Sequence, residues 1–126
     1  MHNIVACVVT YNRIKKLKKC IESLLLHSYQ NFDIVVVDNG SSDGTREYLK
    51  ELSENNRIDF EETDINIGGA GGFNFAIKST YYKYEYLWLM DDDTYPKNDA
   101  LENIVNKIKF LGNSFGYMSS LVLWNG

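Results

Sequence analysis

Residues 87–96 read LWLMDDDTYP, four apolar residues running straight into Asp91, Asp92 and Asp93. Three adjacent carboxylates repel one another and resist leaving water, so a cation, a basic neighbour or solvent must compensate them. In an extended stretch, residues 91 and 93 face one way and residue 92 the other. Asp91 and Asp93 are therefore placed to hold one hard cation through oxygen. Mg²⁺ is commonly bound by few protein ligands plus a phosphate, and Mn²⁺ accepts the same oxygens. The bland alternative is a solvated acidic loop, but the position at the end of an apolar run favours the metal.

A second unusual stretch is NIGGAGGFN, residues 66–74. Clustered glycines allow close approach of backbone to a ligand and leave N–H groups free. No Gly-Lys-Ser/Thr follows, so this is not a P-loop. It also fails GxGxxG, because Gly69 and Gly71 as the first pair put Asn74 at the third glycine. The alternative is a flexible turn. Asn66 and Asn74 flank the glycines, where their amides would bond a sugar or phosphate. Asp38, a lone acid after an apolar run, would accept from a nucleobase N–H or a ribose hydroxyl; the competing role is a turn-former in DNGSSDG. Tyr11 offers a ring for base stacking, or for ordinary packing.

The elements that position these residues follow from periodicity. Ile4 to Val9 is a continuous apolar run, suited to a central parallel strand. Asn12 is expected to cap a helix in which Ile14, Leu17, Ile21, Leu24 and Leu25 recur at helical spacing. The lysines Lys15, Lys16, Lys18 and Lys19 form its solvated face. A strand at Ile34 to Val37 ends in Asp38, and Asp43 caps a helix carrying Tyr48, Leu49 and Leu52. A weaker strand spans Ile58 to Glu62, and a short helix runs from the glycines through Lys78. Tyr86 to Met90 is expected to be another buried strand, with Tyr81, Tyr82, Tyr84 and Tyr86 as packing residues. Asp99 and Glu102 resemble a capping pair for a helix with Leu101, Ile104, Val105 and Ile108. Gly116 to Trp124 reads as a last strand. Such alternation implies an α/β fold, a mostly parallel sheet with helices on both faces. Four strand ends or connections then bring their polar groups to one edge of the sheet, where ligands of open α/β sheets bind.

Composition narrows the class. The 126 residues suffice for one domain, and a net charge of -4 argues against nucleic acid as partner. Cys7 and Cys20 make neither a zinc pattern nor a disulfide framework and read as reduced thiols. His2 and His27 are isolated and receive no role. There is no signal-peptide pattern and no transmembrane segment approaching ~20 apolar residues, so a cytoplasmic domain is expected. Peripheral attachment at the inner membrane face is compatible with that expectation.

Together, VVTYNR (8–13), VVDNGSSDGT (36–45), NIGGAGGFN (66–74) and LMDDDTYP (89–96) resemble the N-terminal half of an inverting, family-2 nucleotide-sugar glycosyltransferase of the GT-A fold. The triple aspartate with the glycine-rich segment is most similar to the galactofuranosyl- and rhamnosyl-transferase branch. The resemblance implies that residues 1–126 are the donor half of a GT-A domain, with a Rossmann-like sheet that stops early. It implies that Thr10, Tyr11 and Asp38 contact base and ribose, usually of uridine diphosphate. Asn12, Arg13 and Asn66 would belong to the same donor-nucleotide set, and Gly68, Gly69, Gly72 and Asn74 would border the diphosphate and sugar. Asp91 and Asp93 would form the DxD metal pair for Mg²⁺ or Mn²⁺, with Asp92 near the ribose or sugar. A glycan or lipid-linked acceptor hydroxyl would attack the anomeric carbon, which needs a general base. Nothing from Asp99 to Gly126 looks like that base, so it is expected outside the chain. The isolated chain is then expected to bind donor with little or no transfer.

Three rivals remain at this level. A phosphatase would show DxDx[TV], which Tyr95 breaks. A nucleotidyltransferase would show a glycine-rich basic loop where this chain has TYNRIKK. A non-catalytic nucleotide-binding or interaction domain needs no base at all. An exposed apolar edge near Leu121 to Trp124 would signal a homodimer or the loss of a missing half.

Overall fold

A computed structural model describes residues 3–55, 58–112, 116–119 and 123. Its elements run β1 (Ile4–Thr10), α1 (Ile14–Leu25), β2 (Asp33–Asp38), α2 (Thr45–Asn55), β3 (Ile58–Glu62), α3 (Gly68–Thr80), β4 (Tyr86–Asp91) and α4 (Ala100–Leu111). The strands form one parallel sheet in the order β3-β2-β1-β4. The order reverses between β1 and β4, which makes their C-terminal ends the topological switch point.

All seven residues of β1 are buried, as its unbroken apolar run requires of a strand covered on both faces. Alternate residues serve opposite layers. Ile4, Ala6 and Val8 join Leu17, Ile21, Leu24, Leu49, Leu101 and Val105 in the core beneath α1, α2 and α4. Val5, Cys7 and Val9 join Val35, Val37 and Ala76 in the thinner core beneath α3. Helices thus cover both faces, three against one.

β4 departs from the expected buried strand. Only Met90 is buried, and Leu89 is 42% exposed. Among the described strands β4 takes an outer place in the sheet, so one flank lacks a neighbour. Tyr81 and Tyr82 are also exposed rather than packed. Tyr84 instead donates its hydroxyl to Asp33 at 2.7 Å, and Tyr86 packs against the larger core. Residues 116–119 and 123 are not in a strand. The remainder of the expected last strand, and with it Leu121, Val122 and Trp124 of the expected apolar edge, lies outside the described residues.

Two helix starts differ from the expected caps. Asn12 does not cap α1. It adopts φ +49° and accepts the Ser42 N–H at 2.7 Å, while its own N–H donates to Ser41 Oγ at 2.9 Å. The cap comes from Asp43, whose Oδ2 accepts the Ile14 N–H at 3.1 Å. Its Oδ1 accepts the Thr45 N–H at 3.2 Å and the Thr45 hydroxyl at 2.5 Å. One carboxylate therefore caps both α1 and α2, satisfying otherwise orphaned helix N–H groups. Asp99 makes no side-chain cap at α4, and Glu102 accepts a hydrogen bond from Ser28 Oγ at 3.0 Å. His27, 3% exposed, does this work: Nε2 accepts the Leu101 N–H at 3.3 Å and Nδ1 lies 3.0 Å from the Ser23 carbonyl. Those partners assign the neutral tautomer with hydrogen on Nδ1.

Candidate functional site at the carboxyl edge of the sheet

β1 ends in Thr10, β2 in Asp38 and β4 in Asp91, with α3 entering from the end of β3. The parallel register sets Thr10 beside Asp38 and Val9 beside Asp91. The sheet itself, not a flexible loop, brings these polar residues together.

Asp91 is the last residue of β4, while Asp92 and Asp93 lie in the turn beyond it, where the Thr94 N–H donates to the Asp91 carbonyl at 3.1 Å, so the extended stretch expected through Asp93 stops short. Asp92 is 4% exposed, while Asp91 and Asp93 are exposed. Thr10 Oγ1 donates to Asp92 Oδ2 at 2.9 Å, and Arg13 Nη1 reaches Asp92 Oδ1 at 3.4 Å. The same Arg13 nitrogen lies 3.8 Å from Asp93 Oδ2. A buried carboxylate is tolerated when it is paired and hydrogen-bonded, and Asp92 is both. Among the described residues, the Asp91 side chain has no hydrogen bond or salt bridge of that kind. Burial, then repulsion from Asp93 and Asp92, raises its carboxyl pKa, and Arg13 opposes that only in part. A cation between Asp91 and Asp93 relieves the same repulsion.

Asp38 is wholly buried. Its Oδ1 accepts the Ser41 N–H at 3.0 Å, and Arg46 Nε stands 3.5 Å from Oδ2. That ion pair has the distance of a salt bridge but not the alignment of a hydrogen bond, and both atoms are buried without a hydrogen-bond partner among the described residues. Arg46 is otherwise anchored by donating Nη2 to the Thr63 carbonyl at 2.9 Å, with Nη1 3.8 Å from Glu62 Oε2.

The glycine segment is less a loop than the start of α3. Asn66 Oδ1 accepts the Gly68 N–H at 2.8 Å, so it closes the helix entry from within the chain. Gly68 and Gly69 are exposed, with nothing near where a Cβ would stand. Gly72 is different: a Cβ there would lie 2.6 Å from Val9 Cγ1. Its missing side chain lets α3 pack onto β1. Asn74 is exposed on α3, and Tyr11 is 42% exposed at the end of β1.

Sequence reasoning missed Asn39. It is 2% exposed, and it ties three segments together. Its N–H donates to the Thr10 carbonyl at 2.9 Å. Its Oδ1 accepts from the Ile67 N–H at 2.9 Å and Thr63 Oγ1 at 3.1 Å, and its Nδ2 donates to the Gly68 carbonyl at 2.9 Å. Four good α-helix breakers in five residues, Gly68, Gly69, Gly71 and Gly72, need such a clamp to begin a helix. The one available signal was an amide directly after the strand-end aspartate. Arg46 was missed as well, hidden in a helix that reads as ordinary surface.

Burial, then the nearby Asp92 and Asp93 charges, push the Cys20 thiol up to about 12, so it stays protonated. Among the described residues no group of three or more His, Cys, Asp or Glu is arranged to hold a metal by itself. Two surface hollows lie away from this edge, one at Tyr48 and Leu52 and one at Asp59 and Tyr84. The candidate site is marked by converging side chains rather than by depth.

This is a parallel α/β domain of the GT-A type with an acidic, arginine-braced edge at its switch point. The chain belongs to glycosyl transferase family 2, whose model matches residues 5–119. It is 32% identical over 97 residues to poly-beta-1,6-N-acetyl-D-glucosamine synthase of Staphylococcus epidermidis, covering 77% of this chain and 22% of that protein. Its fold matches S. aureus TarS 1-349 in complex with UDP-GlcNAc, at TM-score 0.77 and 23% identity, over 94% of this chain and 37% of that one. It also matches the mannosyltransferase PcManGT from Pyrobaculum calidifontis in complex with GDP-Man and Mn²⁺, at TM-score 0.73 and 23% identity, over 89% and 33%. The chain therefore spans well under half the length of each of these proteins.

Proposed function

We propose that residues 1–126 form the donor-binding half of a glycosyltransferase that transfers a sugar from a nucleoside-diphosphate sugar to an acceptor hydroxyl, with inversion. The observation that carries this reading is the division of the aspartates: Thr10 and Arg13 hold Asp92 inward while Asp91 and Asp93 face out. The UDP-GlcNAc bound to TarS and the GDP-Man and Mn²⁺ bound to PcManGT support it.

Two outward carboxylates are a hard-oxygen donor set too small to enclose a cation. They fit Mg²⁺ or Mn²⁺ completed by diphosphate oxygens and water. When bound, that cation supplies charge compensation for the departing diphosphate. Asp38 receives the base or ribose, Tyr11 stacks on the base, and Arg13 braces the aspartates, with Asn12 shaping the turn that carries them. Gly68 and Gly69 leave room beside the diphosphate at the start of α3. Asn66 and Asn74 flank it, while Gly72 sets the helix close enough to β1. The acceptor oxygen bonds to the anomeric carbon as the carbon–phosphate-oxygen bond breaks, and the acceptor proton passes to a base outside residues 1–126. No helix of the described residues is long and apolar enough to cross a membrane, which is compatible with a donor site working on the cytoplasmic side.

The test is thermal unfolding with uridine diphosphate, with and without Mn²⁺. Ligand at 100 times its dissociation constant stabilises by about 2.7 kcal/mol, or about 10 °C for a domain of this size. The expected result is a Mn²⁺-dependent shift that Asp93→Ala abolishes. No shift with uridine, guanosine or thymidine diphosphate, in this chain or a longer one, would overturn the reading.

A further inference from the structure

The donor reading gives a cation two outward carboxylates, and one of them is already engaged. Arg13 Nη1 lies 3.4 Å from Asp92 Oδ1 and 3.8 Å from Asp93 Oδ2. Among the described residues no other cation pairs with any of the three aspartates. The two contacts differ in kind. The one to Asp92 is a hydrogen bond, to a buried carboxylate that Thr10 also holds at 2.9 Å. The one to Asp93 is an ion pair alone, between side chains 52% and 49% exposed. An exposed pair of this kind is weak and easily exchanged. Asp92 therefore anchors the guanidinium, and Asp93 is free to give it up. Any cation held by Asp93 stands beside that guanidinium as a like charge.

We propose that Arg13 is a positioning residue that competes with the divalent cation for Asp93, so that the cation binds well only together with a diphosphate. The guanidinium balances Asp93 in the cation's absence. It repels a cation that arrives alone. A diphosphate arriving with the cation adds negative charge, which offsets that repulsion while the guanidinium stays on Asp92. Two ligands that relieve each other's electrostatic cost bind cooperatively, and the coupling is the same whichever is added first. The inference rests on the donor-site reading and adds to it a coupling set by one named charge.

Mn²⁺ is titrated alone and with uridine diphosphate, free Mn²⁺ being read by electron paramagnetic resonance. The proteins are the 126-residue chain and its Arg13→Gln and Arg13→Lys variants. Glutamine keeps a hydrogen-bond donor for Asp92 without the charge, and lysine keeps the charge without the fork. Association of Mn²⁺ with free uridine diphosphate is common to all three and cancels in the comparison. Arg13→Gln is expected to bind Mn²⁺ alone about fivefold tighter or more, the effect of removing one unit charge beside a divalent one. The gain in Mn²⁺ affinity on adding uridine diphosphate is expected to shrink by about the same factor. Arg13→Lys is expected to stay within about twofold of the parent in both. A merely structural role for Arg13 predicts the reverse sign, weaker Mn²⁺ binding in Arg13→Gln, because the aspartates lose their brace. That result, an unchanged Mn²⁺ affinity, an unchanged gain, or a lysine variant that behaves like glutamine overturns the role of Arg13. Any of these leaves the donor site standing. Failure of Mn²⁺ and every nucleotide to bind removes both readings. If Arg13→Gln does not fold, Arg13→Met supplies the uncharged comparison.

Discussion

Thr10 and Asp92 meet across the switch point, the hydroxyl donating to Oδ2 at 2.9 Å. One residue ends β1 and the other follows β4, so this bond fixes the spacing of the two strand ends. Thr10→Val keeps the shape and removes the donor. It leaves a nearly buried carboxylate oxygen unsatisfied, at a cost of about 1–3 kcal/mol. Urea unfolding should show that loss, and Thr10→Ser should recover most of it. Nucleotide affinity in the presence of Mn²⁺ should fall with Thr10→Val by more than the population of unfolded chain explains.

Asp43 gives a pH signature. Burial alone would raise its carboxyl pKa, but hydrogen bonds from the Thr45 hydroxyl and from the Ile14 and Thr45 N–H groups lower it on balance. A depressed folded-state value means stability that is fully present above the unfolded pKa, about 3.9, and lost as pH falls through the folded one. Asp43→Ala should cost about 1–2 kcal/mol near neutral pH for the cap it removes. The difference from the parent should shrink as pH falls below about 4. A gap that stayed constant down to acid denaturation would show that the carboxylate charge is immaterial.

How much of this was legible in the sequence depends on the range of the interaction. β1 and β2 were readable because burial on both faces forces a continuous apolar run, and the all-parallel sheet followed from the alternation of elements. The inward turn of Asp92 was not readable from strand geometry, because β4 ends at Asp91 and Asp92 and Asp93 belong to the turn that follows. Caps failed where the partner is distant in sequence: Asp43 serves Ile14 across 29 residues, and His27 serves Leu101 across 74. Asn12 looked like a local cap because the local pattern allows it, yet its amide is used by the neighbouring turn. β4 misled because its apolar residues reflect a sheet position, and the sequence does not say which strand stands outermost. Gly40 lies in the DNGSSDG stretch, which the sequence offers only as a turn. Its φ is +87°, and a Cβ would also come within 2.9 Å of the Ile65 backbone.

Asn39 should behave as a positioning residue for the start of α3. Asn39→Asp keeps the acceptor for Ile67 and Thr63 but turns the donor to Gly68 into a second acceptor, facing a carbonyl. The expected cost is about 1–3 kcal/mol, with faster amide exchange concentrated at residues 67–72. Uniform acceleration across the sheet instead would mean that the amide stabilises the fold as a whole and not the helix entry.

The two exposed and buried glycines of α3 separate packing from ligand approach. Gly72→Ala drives a Cβ to 2.6 Å from Val9 Cγ1, and overpacking of this kind costs about 1–3 kcal/mol. Gly69→Ala meets nothing within 4 Å. Alanine is the better helix former by about 1 kcal/mol, so this variant should be as stable as the parent or more so. Should the diphosphate pass close to Gly69, as proposed, the added methyl weakens uridine diphosphate binding while the melting temperature rises. Opposite signs in the two measurements are the expected outcome. A Gly69→Ala variant that gains stability and keeps full affinity would move the diphosphate away from the N-terminus of α3.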